Sequence, residues 1–316
     1  MKKQCIIIFI LLTLLFTLFT AGCKQADEHV AMIDEAYDYS HDENIHGFKI
    51  PIPTAPGINV ETDGIAVIDY SNMQDGYIIA GYNEKSEHEL KIIVTPPNGD
   101  QYIYALGDMG KEEIIPLTEG DGEYQIKIYQ RIDDDHHQRL FETTIIVKLT
   151  ERFAPFIRPN QFVNYTQESH LVRVASELTK DAENTYEMID AIYIYVADNF
   201  EYDYDLAKSV QNGYLPNLDR VLDRKKGICI DYAALVTAML RSQGIPTMLE
   251  IGYYGEEYHA WISVHCEENG WIENRYHHNG EDWSMMDPTL ASGERAAHMS
   301  RKEARDDAKY EVMFNY

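Results

Sequence analysis

The chain has 316 residues, 45% of them hydrophobic and 11% aromatic with 23 tyrosines, which supplies a sizeable core and excludes wholesale disorder. Against 27 Lys and Arg stand 53 Asp and Glu, a formal charge of −26 that repels phosphate backbones and argues against a nucleic-acid partner. Four cysteines are too few for a disulfide scaffold or a Cys-rich zinc protein.

At the N-terminus, the basic Met1-Lys2-Lys3 precedes an almost unbroken apolar run from Ile6 to Phe19, and then Thr20-Ala21-Gly22-Cys23. This is the pattern of a secretory signal over residues 1–22, so the chain is expected to be exported. The T-A-G-C run resembles a bacterial lipobox, with Thr20 where that pattern usually carries Leu. The resemblance implies cleavage before Cys23, lipidation of Cys23 and attachment to the cell membrane; an ordinary signal peptide or an uncleaved anchor are the alternatives. Residues 23–57 are acidic and end in Pro51, Pro53, Pro56 and Gly57, which reads as a tether. A packed N-terminal arm is the other reading, since Val30, Met32, Ile33 and Tyr37 could dock.

Residues 58–150 are expected to form the next domain, and from Gly64 to about Thr150 its apolar period is close to two. Strands are predicted at Ile65–Tyr70, Tyr77–Tyr82, Leu90–Thr95, Gln101–Leu106, Glu113–Leu117, Tyr124–Gln130 and Leu140–Leu149, separated by turn chemistry such as Pro96-Pro97-Asn98-Gly99-Asp100. Short strands at this spacing predict an all-β sandwich. The run Asp121-Gly122-Glu123-Tyr124-Gln125-Ile126 resembles the tyrosine corner of immunoglobulin-like domains. Asp133-Asp134-Asp135-His136-His137 reads as a solvated hairpin tip rather than a metal site.

Past Pro155 and Pro159, residues 151–316 turn to helices and then to strands, an α+β pattern. Asn184-Thr185-Tyr186-Glu187 has capping-box spacing, and Met188, Ile189, Ile192, Tyr193 and Val196 behind it form one helical stripe. A second helix is predicted at Cys229–Arg241, stopped by Gly244-Ile245-Pro246. Strands follow at Thr247–Tyr254, His259–Cys266, Trp271–Arg275 and Trp283–Met286. A short helix capped by Ser300 with Glu303, and a strand through Tyr310, Val312, Phe314 and Tyr316, close the chain.

Three segments of this half carry chemistry. Cys229 follows Gly227 and opens a helix, whose unpaired N–H groups and positive dipole end favour a nucleophilic thiolate. Gly227 would leave the approach to the sulfur open, and Ala233, Val236, Thr237 and Leu240 would anchor the helix on the core. His259, at the start of a strand, can pair with the thiolate and hand its proton to a leaving amine. Asp287, stiffened by Pro288, offers a carboxylate to orient the imidazole. The Cys229 N–H is a candidate oxyanion donor, while Tyr202 and Tyr204 are conceivable second donors that more often serve packing.

Residues of roughly 185–292 resemble a transglutaminase-like domain of the papain-fold cysteine enzymes. The helix I-Y-I-Y-V-A-D-N-F-E-Y-D-Y, the G-x-C-x-D-x-A-x-L segment, G-I-P, H-A-W and D-P-T occur in the family's order. The resemblance implies Cys229 as nucleophile, His259 as general acid/base and Asp287 as its orienting partner, with a structural role for Asp231.

The function expected is acyl transfer on amide bonds through a Cys229 thioester, resolved by water in a peptidase or by an amine in a transglutaminase. The alternative is a surface module that binds peptides in a papain-like groove without turning them over. A peptide or protein substrate is expected, cell-wall peptide among the candidates, with no cofactor and no metal. Cys266 reads as core rather than as a disulfide partner of Cys229, and His265, His277 and His278 read as scattered histidines rather than zinc ligands. Trp261 and Trp271 read as core, with Trp261 a candidate for the wall of a groove.

Overall fold

A computed structural model describes residues 47–133, 136–265, 277–278, 283–292 and 309–316. Cys23, the signal segment, most of the tether, Cys266, the Trp271–Arg275 strand and the Ser300–Glu303 cap lie outside the described residues.

The N-terminal half is two four-stranded antiparallel sheets. Its strands are β1 (Val60–Thr62), β2 (Ala66–Asp69), β3 (Tyr77–Tyr82), β4 (Leu90–Thr95), β5 (Tyr102–Leu106), β6 (Glu113–Pro116), β7 (Gly122–Arg131) and β8 (His137–Val147). One sheet runs β1-β2-β3-β6 and the other β5-β4-β7-β8. Alternate residues of β4, β5 and β7 are buried, the signature of sheets with one face on a core. Ile68, Ile78, Ile92, Ile115 and Ile126 are fully buried there, each worth about 1.5–3 kcal/mol of transfer free energy. The Tyr124 hydroxyl donates to the Gly120 carbonyl and accepts from the Glu119 N–H, both at 3.0 Å, which pins the entry to β7.

The segment predicted as the end of a tether packs instead. Ile50 is buried, Thr54 N–H donates to the Tyr77 hydroxyl at 3.0 Å, and Gly57 N–H donates to Asp69 Oδ2 at 2.6 Å. The buried Ile50 and buried acceptors on β2 and β3 hold this largely exposed segment, where the sequence shows only acidic residues and proline stiffness.

The C-terminal half begins with α1 (His170–Thr179), α2 (Thr185–Asn199), β9 (Glu201–Tyr202), α3 (Tyr204–Ser209), α4 (Leu218–Arg224), β10 (Lys226–Gly227) and α5 (Cys229–Ser242). There follow β11 (Thr247–Tyr254), β12 (Glu257–His265), β13 (His277–His278), β14 (Trp283–Met286), α6 (Pro288–Ala291) and β15 (Tyr310–Asn315). The five-stranded sheet runs β13-β14-β12-β11-β15, antiparallel throughout. Helix α5 is buried all round from Asp231 to Ser242, as expected of a helix at the centre of a core, and packs on α1, α2, β11 and β12. Among the described residues no helix is long and apolar enough to cross a membrane.

Arg241, fully buried near the end of α5, ties three segments together. Its guanidinium donates to the carbonyls of Thr247, Arg158 and Tyr316 at 2.6–2.9 Å. A second joint is aromatic: Tyr316 packs on Tyr102, Tyr104 and Phe162, so residues after β15 meet the β5 strand of the other half.

Candidate active site

The site is built where α5, β12 and α6 meet. Half-buried Cys229 is the first residue of α5. Asp231, two residues on, accepts from the Ile228 N–H at 2.8 Å and from the Tyr214 hydroxyl at 2.8 Å, so a buried carboxylate fixes the turn that presents the sulfur. Burial pushes the Asp231 carboxyl up, against the opposing pull of those two bonds. Gly227 makes room for this arrangement. A Cβ on Gly227 would lie 2.6 Å from Asp231 Cβ and 2.9 Å from Asp231 Oδ2. The short pairing of β9 with β10 sets Tyr202 opposite Gly227, and Asp203 N–H donates to the Gly227 carbonyl at 2.8 Å. The N-F-E-Y-D-Y run therefore borders the turn before Cys229; the rings of Tyr202 and Tyr204 pack on each other at 5.0 Å.

His259 lies on β12 and is 2% exposed, so its charge is decided by neighbours rather than by water. Its Nε2 is 2.7 Å from Asp287 Oδ2. An ionised carboxylate only accepts, so Nε2 carries the proton and Nδ1 is left for the Cys229 sulfur, which also interacts with the ring. Burial is the largest single influence and disfavours the imidazolium. The Asp287 carboxylate and the Cys229 side chain together outweigh it and raise the ring to about 10.

Asp287 is the N-cap of α6. Its Oδ1 accepts from the Thr289 and Leu290 N–H groups at 3.0 and 2.9 Å, and Pro288 occupies the first helical position, where no N–H is needed. Its Oδ2 accepts from His259 and also from the Tyr310 hydroxyl, at 3.0 Å. The Tyr193 hydroxyl on α2 donates to the Asp287 carbonyl at 2.8 Å. Trp261 is 1% exposed and its ring stacks beside His259 at 6.1 Å, which makes it core next to the site rather than a groove wall.

The structure thus brings Cys229, His259 and Asp287 together. Tyr193 and Tyr310 were not singled out by sequence reasoning: both are tyrosines at apolar positions of regular elements, and only the tertiary contact reveals their hydroxyls. Among the described residues no cluster fits a metal ion, and Cys229 is a free thiol. His265 packs against the Phe153 ring at 3.9 Å.

An imidazole held between a thiol and a carboxylate can withdraw and return one proton beside a nucleophilic sulfur, which is the chemistry of acyl transfer. Residues 172–274 match the family model of the Transglutaminase-like superfamily. The UPF0252 protein MJ1282 of Methanocaldococcus jannaschii is 29% identical over 135 residues, covering 39% of this chain and 38% of that protein. Kyphoscoliosis peptidase of Homo sapiens is 22% identical over 240 residues, covering 72% of this chain and 33% of the peptidase. The chain thus spans between about a third and two fifths of the length of these curated relatives. Of the solved structures, the periplasmic domain of TgpA from Pseudomonas aeruginosa is similar at 16% identity and a TM-score of 0.34, with 78% of this chain and 100% of that domain covered. Cys229 and His259 fall inside the family match, and Asp287 follows it. The chain carries a transglutaminase-like domain.

Proposed function

We propose that the protein is an exported cysteine enzyme that acts on amide bonds by acyl transfer through a thioester on Cys229. The observation that carries this is the buried 2.7 Å bond from His259 to Asp287, with the Cys229 side chain acting on the same ring. The Cys229 thiolate attacks the carbonyl carbon, and the His259 imidazolium gives its proton to the departing amine as the C–N bond breaks. Neutral His259 then takes a proton from water, the hydroxide adds to the thioester, and the acid leaves as thiolate and imidazolium re-form. Asp287 holds the ring and balances its charge through both steps. Water is the acceptor in this reading, and the peptidase among the relatives agrees with it.

The test is covalent capture by a peptidyl chloromethyl ketone. The wild-type chain should acquire one adduct on Cys229, and Cys229→Ala none. A Cys229 that reacts no faster than free cysteine would favour a peptide-binding module instead. New peptide termini in cells with wild-type protein, absent with Cys229→Ala, identify hydrolysis and its substrate; crosslinks identify transamidation.

The proposal extends to the address and the layout. Residues 1–22 act as an export signal, a lipid on Cys23 holds the chain at the membrane, and residues 58–150 form an immunoglobulin-like unit beneath the catalytic domain of residues 151–316. Cys23→Ser should move the protein out of the membrane fraction; unchanged retention of the processed chain would refute the lipid anchor.

A further inference from the structure

We infer that Tyr310 is a positioning residue of this site, supplied by β15, a strand that lies beyond the family match. The inference rests on the cysteine-enzyme reading above. Asp287 Oδ1 is committed to the backbone of α6, so the orientation of Oδ2 toward His259 depends on what else bonds Oδ2. That second donor is the Tyr310 hydroxyl, at 3.0 Å. With it the carboxylate accepts four hydrogen bonds, two on each oxygen, and neither oxygen is left seeking a donor from solvent.

The ring of Tyr310 does a second thing. It meets Trp261 edge-on at 4.9 Å and packs on Tyr254 at 4.8 Å, while Trp261 and Tyr254 both lie against His259 with centroids 6.1 and 6.2 Å away. Three aromatic rings therefore enclose the imidazole–carboxylate pair. Excluding water there strengthens the pair, because the local dielectric falls. Burial, followed by the Asp287 charge, holds the Tyr310 phenol far above its ordinary range, so it stays a donor at every working pH.

The position of β15 explains how a residue 23 positions from Asp287 arrives with this accuracy. Tyr310 pairs with Tyr254 across the sheet, and the register shifts between Ile251 and Gly252. A Cβ on Gly252 would lie 1.9 Å from the Glu311 carbonyl oxygen. The bare glycine is what lets β15 close on β11.

The experiment measures alkylation of Cys229 by iodoacetamide in the full chain from pH 6 to 11, with the modified peptide identified by mass spectrometry. Tyr310→Phe keeps the ring and removes the hydroxyl. Its rate at pH 7 should fall about tenfold, as for loss of one hydrogen bond to a charged group, and should rejoin the wild-type rate at the alkaline end, where the imidazolium no longer assists. Loosened packing alone would instead raise alkylation at every pH. A second measurement needs no variant: the proton on His259 Nε2 should give a persistent downfield resonance in the wild-type chain at pH 7. Absence of that resonance overturns the enclosed, doubly bonded carboxylate. A wild-type rate at pH 7 in folded Tyr310→Phe, with His259→Ala slowed, overturns the role of Tyr310 and leaves the enzyme reading standing. An inert Cys229 in the wild-type chain overturns both.

Discussion

Asp287 divides its two oxygens between a helix and an imidazole, and that division makes a sharp prediction. Oδ1 faces two backbone N–H groups, so whatever replaces it must accept. In Asp287→Asn the amide oxygen is therefore drawn to the cap, and the amide NH₂ turns toward His259. Nε2 must then give up its proton to accept, which puts the remaining proton on Nδ1, facing the sulfur. The imidazole loses its counter-charge and its tautomer together. The same replacement in Ser-type triads costs about 10⁴-fold in kcat. Asp287→Asn is expected to keep the melting temperature, because Asn caps helices as well as Asp does, while the capture rate falls at least ~100-fold. Asp287→Ala should lose both the rate and about 1 kcal/mol of stability with the cap. Measuring capture rate beside the melting temperature separates the two variants; an unchanged rate in folded Asp287→Ala protein would remove the carboxylate from the mechanism.

At the scale of elements, what the sequence reveals depends on where each signal is stored. Strands Tyr77–Tyr82, Leu90–Thr95, Thr247–Tyr254 and Trp283–Met286 sit at their predicted bounds because alternation and turn residues are local. Helix α2 starts where Asn184 caps it, with the Asn184 side chain accepting from the Glu187 N–H at 3.0 Å. Glu187 departs from the capping box by reaching Glu183 N–H, at 2.8 Å, rather than Asn184 N–H. Helix α1 carries no such flag. Its N-terminal N–H groups at His170 and Leu171 are bonded by Asp219, a residue of α4 about fifty positions later, so no window around His170 contains the cap. Strand β1, three residues long, is defined only by its pairing with β2. In the site, Cys229, His259 and Asp287 are legible because each sits in a short run with its own chemistry. Tyr310 is not, because its hydroxyl is recognised only by a carboxylate on another element.

For the whole molecule, the proton on His259 becomes a term in global stability. The ring holds its proton to about pH 10 in the folded chain, against an ordinary value of 6.5. Between those values this ring holds a proton in the folded state that it has released in the unfolded state, so its own contribution to stability falls as pH rises through the window. Below pH ~6.5 both states are protonated and the contribution is complete. One proton gives a slope of at most about 1.4 kcal/mol per pH unit. Urea unfolding of Cys229→Ala and of Cys229→Ala/His259→Gln at pH 7, 8 and 9, which keeps the sulfur out of the proton count, should show the advantage of the chain with His259 shrinking with pH. A constant difference would mean that the ring is neutral in the folded protein.

The late arrival of β15 also has a consequence in time. A chain emerges N-terminus first, so Cys229, His259 and Asp287 are all available before Tyr310 follows. Until β15 pairs with β11, the carboxylate lacks its second donor on Oδ2 and the guanidinium of Arg241 lacks its bond to Tyr316. A site assembled in that order stays incomplete until its last strand has been made and paired. Phe314 on the same strand and Tyr316 just after it also meet Tyr102 of the β5-β4-β7-β8 sheet. The hydrogen bonding of the Asp287 carboxylate is thereby completed last, with the closing of the molecule.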